Sequence, residues 1–237
     1  MRCKLDSPRY IVLLADSAVE FIPREIWGHP SVASYCRKRG KIPARTLLDS
    51  SYHHAAMRGL PGRERRGRPD ILHFTILEVL GSPLNKAEKL GIYVHTQPGY
   101  LIWVNPKVRL PRNYDRFKSL FEKLMVEKVI KSDAGEILLR VMGSDLESWV
   151  ERVGAGSVIL LSETGVKVEM GMLEEVSKSP KPTIFVVGCF PHGDFSPEIR
   201  SIADQVVRLS EHTMDAWVAA SRILCLLELA EAKNKHE

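Results

Sequence analysis

The chain has 237 residues, 44% of them apolar and 27% charged, an ordinary globular composition with material for one large domain or two small ones. Lys and Arg number 34 against 29 Asp and Glu, a net charge of +5 that matters only where it is concentrated on one face. The four cysteines, Cys3, Cys36, Cys189 and Cys225, lie far apart with no CxxC or Cys/His spacing, which indicates neither a zinc site nor a disulfide framework and fits a reducing cytoplasm.

The N-terminus carries charges at Arg2, Lys4, Asp6 and Arg9 and then only a short apolar run, so it reads as neither a signal peptide nor a membrane span. Nothing further along approaches bilayer length. Val- and Ile-rich runs at residues 10–15, 91–95, 101–105, 137–141, 157–161, 183–187 and 205–209 are predicted strands. Amphipathic segments at 71–80, 111–130, 146–153, 171–178 and 214–232 are predicted helices. Their alternation predicts an α/β domain with a largely parallel sheet. The polar tail from Ala232 to Glu237 is expected to fray.

Residues 37–68 are less regular, with Pro43, Gly59, Pro61, Gly62 and Gly67, and read as an insertion or mobile arm. Basic charge is concentrated there: Arg58, Arg63, Arg65, Arg66 and Arg68 are interrupted by one acid, Glu64. A solvated loop would look the same as an RNA surface, for which planar guanidiniums suit phosphate forks and base stacking. The adjacent histidines His53 and His54 do not share a helix face and make no metal pair.

Asp70 follows Pro69 and precedes an apolar segment, so it reads either as a helix cap or as an acid set among arginines to orient a guanidinium or accept a proton. In the predicted helix 111–130, Pro111 suits the first position, and Phe117, Leu120, Phe121 and Leu124 form one apolar stripe. Arg112 and Arg116 then project beside that stripe, free to reach a ligand or to pair with Asp115 and Glu122.

Three predicted strands end in polar loops: Leu161-Ser162-Glu163-Thr164-Gly165, Gly188-Cys189-Phe190-Pro191-His192-Gly193 and Val207-Arg208-Leu209-Ser210-Glu211-His212. Loops at strand ends of an open α/β sheet could enclose a small ligand, although ordinary α/β turns look similar. The glycine loop is not GxGxxG, and Ser162, Ser210 and Ser221 lack a GxSxG elbow.

Four motifs in order, Asp49-Ser50-Ser51-Tyr52-His53, Arg66-Gly67-Arg68-Pro69-Asp70-Ile71, Gly81-Ser82-Pro83-Leu84-Asn85-Lys86 and Asn105-Pro106-Lys107-Val108-Arg109-Leu110-Pro111-Arg112, give the chain its resemblance to a known family. It resembles the archaeal pseudouridine-N1-specific methyltransferases of small-subunit ribosomal RNA, of the SPOUT superfamily. The resemblance implies a single SPOUT-type domain over 1–237, with a C-terminal trefoil knot and a homodimer. It implies S-adenosylmethionine bound by Thr164, Gly165, Gly188, Gly193 and the wall Val207, Arg208, Leu209, Ser210, Glu211 and His212. This wall departs from the family pattern by holding an acid and no glycine. RNA would be held by Arg68, Arg109, Arg112 and Arg116, with Asp70 and Arg68 at the reacting base, and no metal or membrane would take part. Two other readings stand beside this one: a non-catalytic RNA-binding ribosome assembly factor, and a SPOUT methyltransferase with another RNA target.

Overall fold

The computed structural model describes residues 8–234, so Cys3 and the charges at Arg2, Lys4 and Asp6 lie outside the described residues. Among the described residues eight strands form one sheet: β1 (Tyr10–Ser17), β2 (Leu90–Thr96), β3 (Leu101–Val104), β4 (Val129–Lys131), β5 (Ile137–Gly143), β6 (Ser157–Lys167), β7 (Thr183–Gly188) and β8 (Gln205–Arg208). The α-helices are α1 (Pro30–Arg39), α2 (Ser50–Met57), α3 (Pro69–Gly81), α4 (Pro83–Lys86), α5 (Tyr114–Glu127), α6 (Leu146–Val153), α7 (Met170–Lys178), α8 (Pro197–Ser201) and α9 (Ala216–Asn234).

The order across the sheet is β4-β5-β3-β2-β1-β7-β6-β8. Strands β2, β1, β7, β6 and β8 run parallel, whereas β3 pairs antiparallel with β2 and β5, and β4 antiparallel with β5. The expected largely parallel sheet is therefore mixed. Its cause is local: only residues 97–100 join β2 to β3, which suits a hairpin, while a parallel connection needs a dozen residues or more.

Every residue of β1 is buried, and its side chains divide between two cores. Tyr10, Val12 and Leu14 face the helices α3, α5, α7 and α9, meeting Leu72, Phe117, Leu173 and Leu224. Ile11, Leu13 and Ala15 face Leu146 and Trp149 of α6 and Ile199 of α8. Burial is worth about 1.5–3 kcal/mol for each large side chain, more than the spread of strand propensities, so a central strand covered on both faces reads as an unbroken apolar run.

Segment 37–68 is more ordered than its composition suggests. It completes α1, contains α2, and packs through Leu48, Ala56, Met57 and Leu60 into a small core with Ile22, Ile26, Val32, Tyr35 and Cys36. Caps start both helices: the His29 ring accepts from the Ser31 N–H at 3.2 Å, and Asp49 accepts from the Ser51 N–H at 2.9 Å. Each helix buries three side chains, too few for periodicity to announce it.

The predicted helix 111–130 begins and ends elsewhere. Asn113 caps it, accepting from the Arg116 N–H at 3.0 Å, so α5 starts at Tyr114 and leaves Arg112 in the approach loop. At the other end Lys128 turns left-handed at φ 67°, and Val129–Lys131 pairs with β5 as a strand. Helix α9 stays helical through Asn234, beyond the point where fraying was expected; residues 235–237 lie outside the described residues.

Candidate active site

The carboxyl ends of β6, β7 and β8 open into one cavity of about 550 Å³, at the place where open α/β sheets bind ligands. Its first wall follows β7 and comprises Gly188, Phe190, Pro191, His192, Gly193, Asp194 and Phe195. A Cβ on Gly188 would lie 2.8 Å from the Phe190 ring and 3.0 Å from the Phe195 ring, and Gly193 sits at φ 91°. This wall is therefore shaped by turns that need glycine. Between its glycines Cys189 is fully buried, and burial pushes its thiol up to about 12, which removes it as a nucleophile.

The second wall runs through Arg208, Leu209 and Ser210 and on from His212 to Trp217. Leu161 and Val166 both pair with Val207, so residues 162–165 leave the ladder, and Ser162, Glu163 and Thr164 line the cavity's edge. Thr213 donates to the Glu163 carboxylate and ties edge to wall. Gly165 serves packing here: a Cβ on it would lie 2.6 Å from three backbone atoms of Val207.

The third side is the start of α3, where Arg68 and Ile71 reach the cavity. Asp70 does not cap that helix. Arg68 occupies the N-cap position and Pro69 the first turn's start, while Asp70 accepts from Arg68 Nε and Nη2, each at 2.8 Å. That hydrogen bond raises the Arg68 pKa above its ordinary value.

Of the residues expected at the site, the cavity gathers Arg68, Thr164, Gly188, Gly193, Arg208, Leu209, Ser210 and His212. Gly165 and Val207 stand behind the lining, and Glu211 is exposed, 3.2 Å from Arg208. Arg109, Arg112 and Arg116 lie away from the cavity, exposed and without an ion pair among the described residues. The acids offered as their partners are taken: Asp115 pairs with Arg39 and Lys118, and Glu122 with Lys41. Arg112 borders a second groove of about 580 Å³ with Phe74, Leu77, Glu78 and Trp217. Trp217 lines both spaces and joins them.

The basic run before α3 divides: Arg58 and Arg63 are exposed, whereas its last three arginines are held by carboxylates. Arg65 pairs with Asp16 at 3.0 Å, Arg66 with Glu20 through two bonds of 2.7 and 2.5 Å, and Arg68 with Asp70. Behind it Lys118 of α5 meets Asp49 at 2.7 Å, both nearly fully buried, and the Tyr114 hydroxyl donates to the same carboxylate at 3.0 Å. Burial is the largest single influence and opposes the charge on Lys118, but the hydrogen bond and charge of Asp49, with Tyr35 and Asp115, together outweigh it and hold its pKa above the ordinary value. Asp16, Glu20 and Lys118 carried no signal that periodicity or motif spacing detects; an acid closing an apolar strand, as Asp16 closes β1, is the one available clue.

The EMG1/NEP1 methyltransferase family model matches residues 12–228. The chain belongs to this family. Among its relatives is the ribosomal RNA small subunit methyltransferase Nep1 of Staphylothermus marinus, 40% identical over 90% of this chain and 92% of its own. Nep1 of Pyrococcus furiosus is 37% identical over 93% and 96% of the two chains. The crystal structure of Archaeoglobus fulgidus Nep1 bound to S-adenosylhomocysteine superposes with a TM-score of 0.85 at 37% identity, covering 94% of this chain and 99% of that one. Among the described residues of this EMG1/NEP1 chain, no helix is long and apolar enough to cross a membrane, and no cluster of three or more His, Cys, Asp or Glu side chains could hold a metal ion.

Proposed function

We propose that the protein is an S-adenosylmethionine-dependent methyltransferase that methylates N1 of a pseudouridine in small-subunit ribosomal RNA during ribosome biogenesis. One observation carries the reading: the glycine-built strand-end loops and a carboxylate-fixed arginine face the same cavity. Family membership and the S-adenosylhomocysteine held by the A. fulgidus relative supply the cofactor class. The lining suits such a molecule, since Gly188 and Gly193 bring backbone close to it while Ser162, Thr164, Ser210 and Asp215 offer polar groups. When bound, S-adenosylmethionine supplies a methyl group on a positively charged sulfur.

Pseudouridine, unlike uridine, presents an N1–H, whose proton must leave as the new N–C bond forms. Arg68 faces the cavity and would stabilise the anion that grows on the uracil carbonyls, a charge-stabilising term that dominates in dry sites. Asp70 already accepts three hydrogen-bonding contacts from Arg68, so its assigned role is to fix the guanidinium's plane, and the proton passes to solvent. Arg109, Arg112 and Arg116, unpaired and exposed, suit phosphate contacts on either side of an extruded base.

The same reading includes a SPOUT-type trefoil knot in which residues 209–215 thread behind the 162–165 loop. Supporting it are the contact of Gly165 with Val207, the Glu163 to Thr213 bond and the return of α9 from the edge strand β8 onto α3 and α7. It also includes a homodimer through the α3 and α9 face, where Phe74 and Leu229 are 52% and 55% exposed beside half-buried Leu77.

Methyl transfer tests the assignment. Tritiated methyl from S-adenosylmethionine is expected on a small-subunit RNA hairpin containing pseudouridine and absent from its uridine counterpart. Equal labelling of both defeats the choice of base, and no labelling of either with intact RNA binding favours an assembly factor.

A further inference from the structure

Strand β1 does not end regularly. Leu14 stands opposite Val94 and Ser17 opposite Thr96, so β1 carries one extra residue, a bulge of the kind that re-aims a side chain beside a site. Asp16 sits in it at φ 48°, a conformation that an aspartate keeps only where its surroundings over-determine it. Cys189 holds both flanks: its N–H donates to the Ala15 carbonyl at 2.8 Å, and its carbonyl accepts from the Ala18 N–H at 3.0 Å.

The carboxylate turned by this bulge is 2% exposed and gathers three donors, the Ser196 N–H at 2.6 Å, the Ser196 hydroxyl at 2.9 Å and Arg65 Nη2 at 3.0 Å. Burial would raise its pKa, but the His95 ring, 3.4 Å away, and the hydrogen bonds from Ser196 bring it below the ordinary carboxylate value, so it is ionised opposite Arg65. Arg65 spreads over the Phe190 ring, 4.8 Å from its centroid, and its Cδ lies 3.5 Å from where a Cβ of Gly193 would be. Phe190 and Gly193 line the cavity; Asp16 and Arg65 do not.

We propose that Asp16 and Arg65 are positioning residues for the loop 188–196: they set the first wall of the cavity through Phe190 and Gly193 and tie it to the segment that carries Arg68. This rests on the reading of the cavity as the S-adenosylmethionine site. Arg66 supplies an internal comparison, because it makes a closer ion pair, with Glu20, in the same segment, while it is Arg65 that lies over the loop's Phe190.

Calorimetric titration with S-adenosylhomocysteine, paired with thermal melts, separates positioning from mere structural support. Arg65→Ala is expected to weaken binding about 10-fold or more, with Arg65→Lys recovering part of the loss. Arg66→Ala is expected to bind as the wild type does, although its melting temperature falls at least as far. Equal weakening in Arg65→Ala and Arg66→Ala, or none in either, overturns the inference while leaving the cofactor reading intact. Absence of binding by the wild type overturns the cofactor reading and this inference with it. Should Arg65→Ala fail to fold, Arg65→Gln keeps a donor for Asp16 without the charge and gives the same comparison.

Discussion

On the strand-end side of the cavity the chain works with backbone: Gly188 leaves room for two phenyl rings, Gly193 turns at φ 91°, and residues 162–165 leave their ladder to form an edge. On the α3 side it works with a side chain, the Arg68 guanidinium held by the Asp70 carboxylate, while the Arg65–Asp16 and Arg66–Glu20 pairs stand outside the lining. A wall of turns is intolerant of an added Cβ and indifferent to many exposed side chains. A wall of ion pairs tolerates backbone variation but loses its geometry when one partner goes. The two sides should therefore fail in different ways.

The largest expected effect is on the support behind the arginine side. Asp49→Ala removes the buried counter-charge of Lys118, leaving it only the half-exposed Asp115, and takes the acceptor from the Tyr114 hydroxyl, which should destabilise the fold by about 3–5 kcal/mol in a urea titration. Adding Lys118→Met should return part of that loss; if the double variant is no better than the single one, Asp49 matters as the cap of α2 and not as a counter-charge.

Next comes the backbone side. Gly165→Ala should cost about 3 kcal/mol, because its methyl meets main chain that cannot move without breaking the β6 to β8 ladder. Gly171→Ala, with nothing within 4 Å of the new methyl, provides the comparison and should stay within about 0.5 kcal/mol of wild type or gain stability. Matching losses in the two variants would show that conformational freedom, and not close packing, sets the requirement at residue 165.

Arg68→Ala should leave stability within about 1 kcal/mol, since the pair with Asp70 is part-exposed, yet slow methyl transfer about 100-fold. A proportional loss of both quantities would make Arg68 a structural residue. The smallest effect is expected from the exposed arginines: replacing Arg109, Arg112 and Arg116 together should flatten the slope of log affinity for RNA against log salt by about 2–3 and leave S-adenosylhomocysteine affinity unchanged. An unchanged slope would remove them from the RNA surface.

The same division decides what could be read from the sequence. Strands β1 and β7 announced themselves as apolar runs because both faces of the sheet are covered, and α6 coincided with its prediction because an Asp145 cap, an apolar stripe and Gly154 all agree. The loops after β6, β7 and β8 were recognisable as strand-then-polar turns, although which of their residues face inward was not. Helices α1 and α2 carry no periodic signal because each buries only three side chains, in a core completed by Ile22, Ile26, Leu48 and Leu60. The pairing of Arg65 with Asp16 and of Lys118 with Asp49 joins positions separated by most of a domain's local structure, so no window along the chain contains both partners. Periodicity likewise could not tell the hairpin β2 to β3 from a crossover; the four residues between the strands could have.

Strand β1 lies at the centre of the sheet, with Tyr10 beside Leu90 on one side and beside Thr183 on the other. At roughly 5–20 residues per second of synthesis, its second neighbour leaves the ribosome roughly 9–35 s after it does. For that interval a strand that is buried along its whole length in the finished fold has an open hydrogen-bonding edge, the feature from which misassembly starts. Production yield should therefore depend more on translation speed and on chaperone supply at the ribosome than the stability of the finished fold would suggest, and slow refolding from denaturant should accompany a high content of such distant pairings.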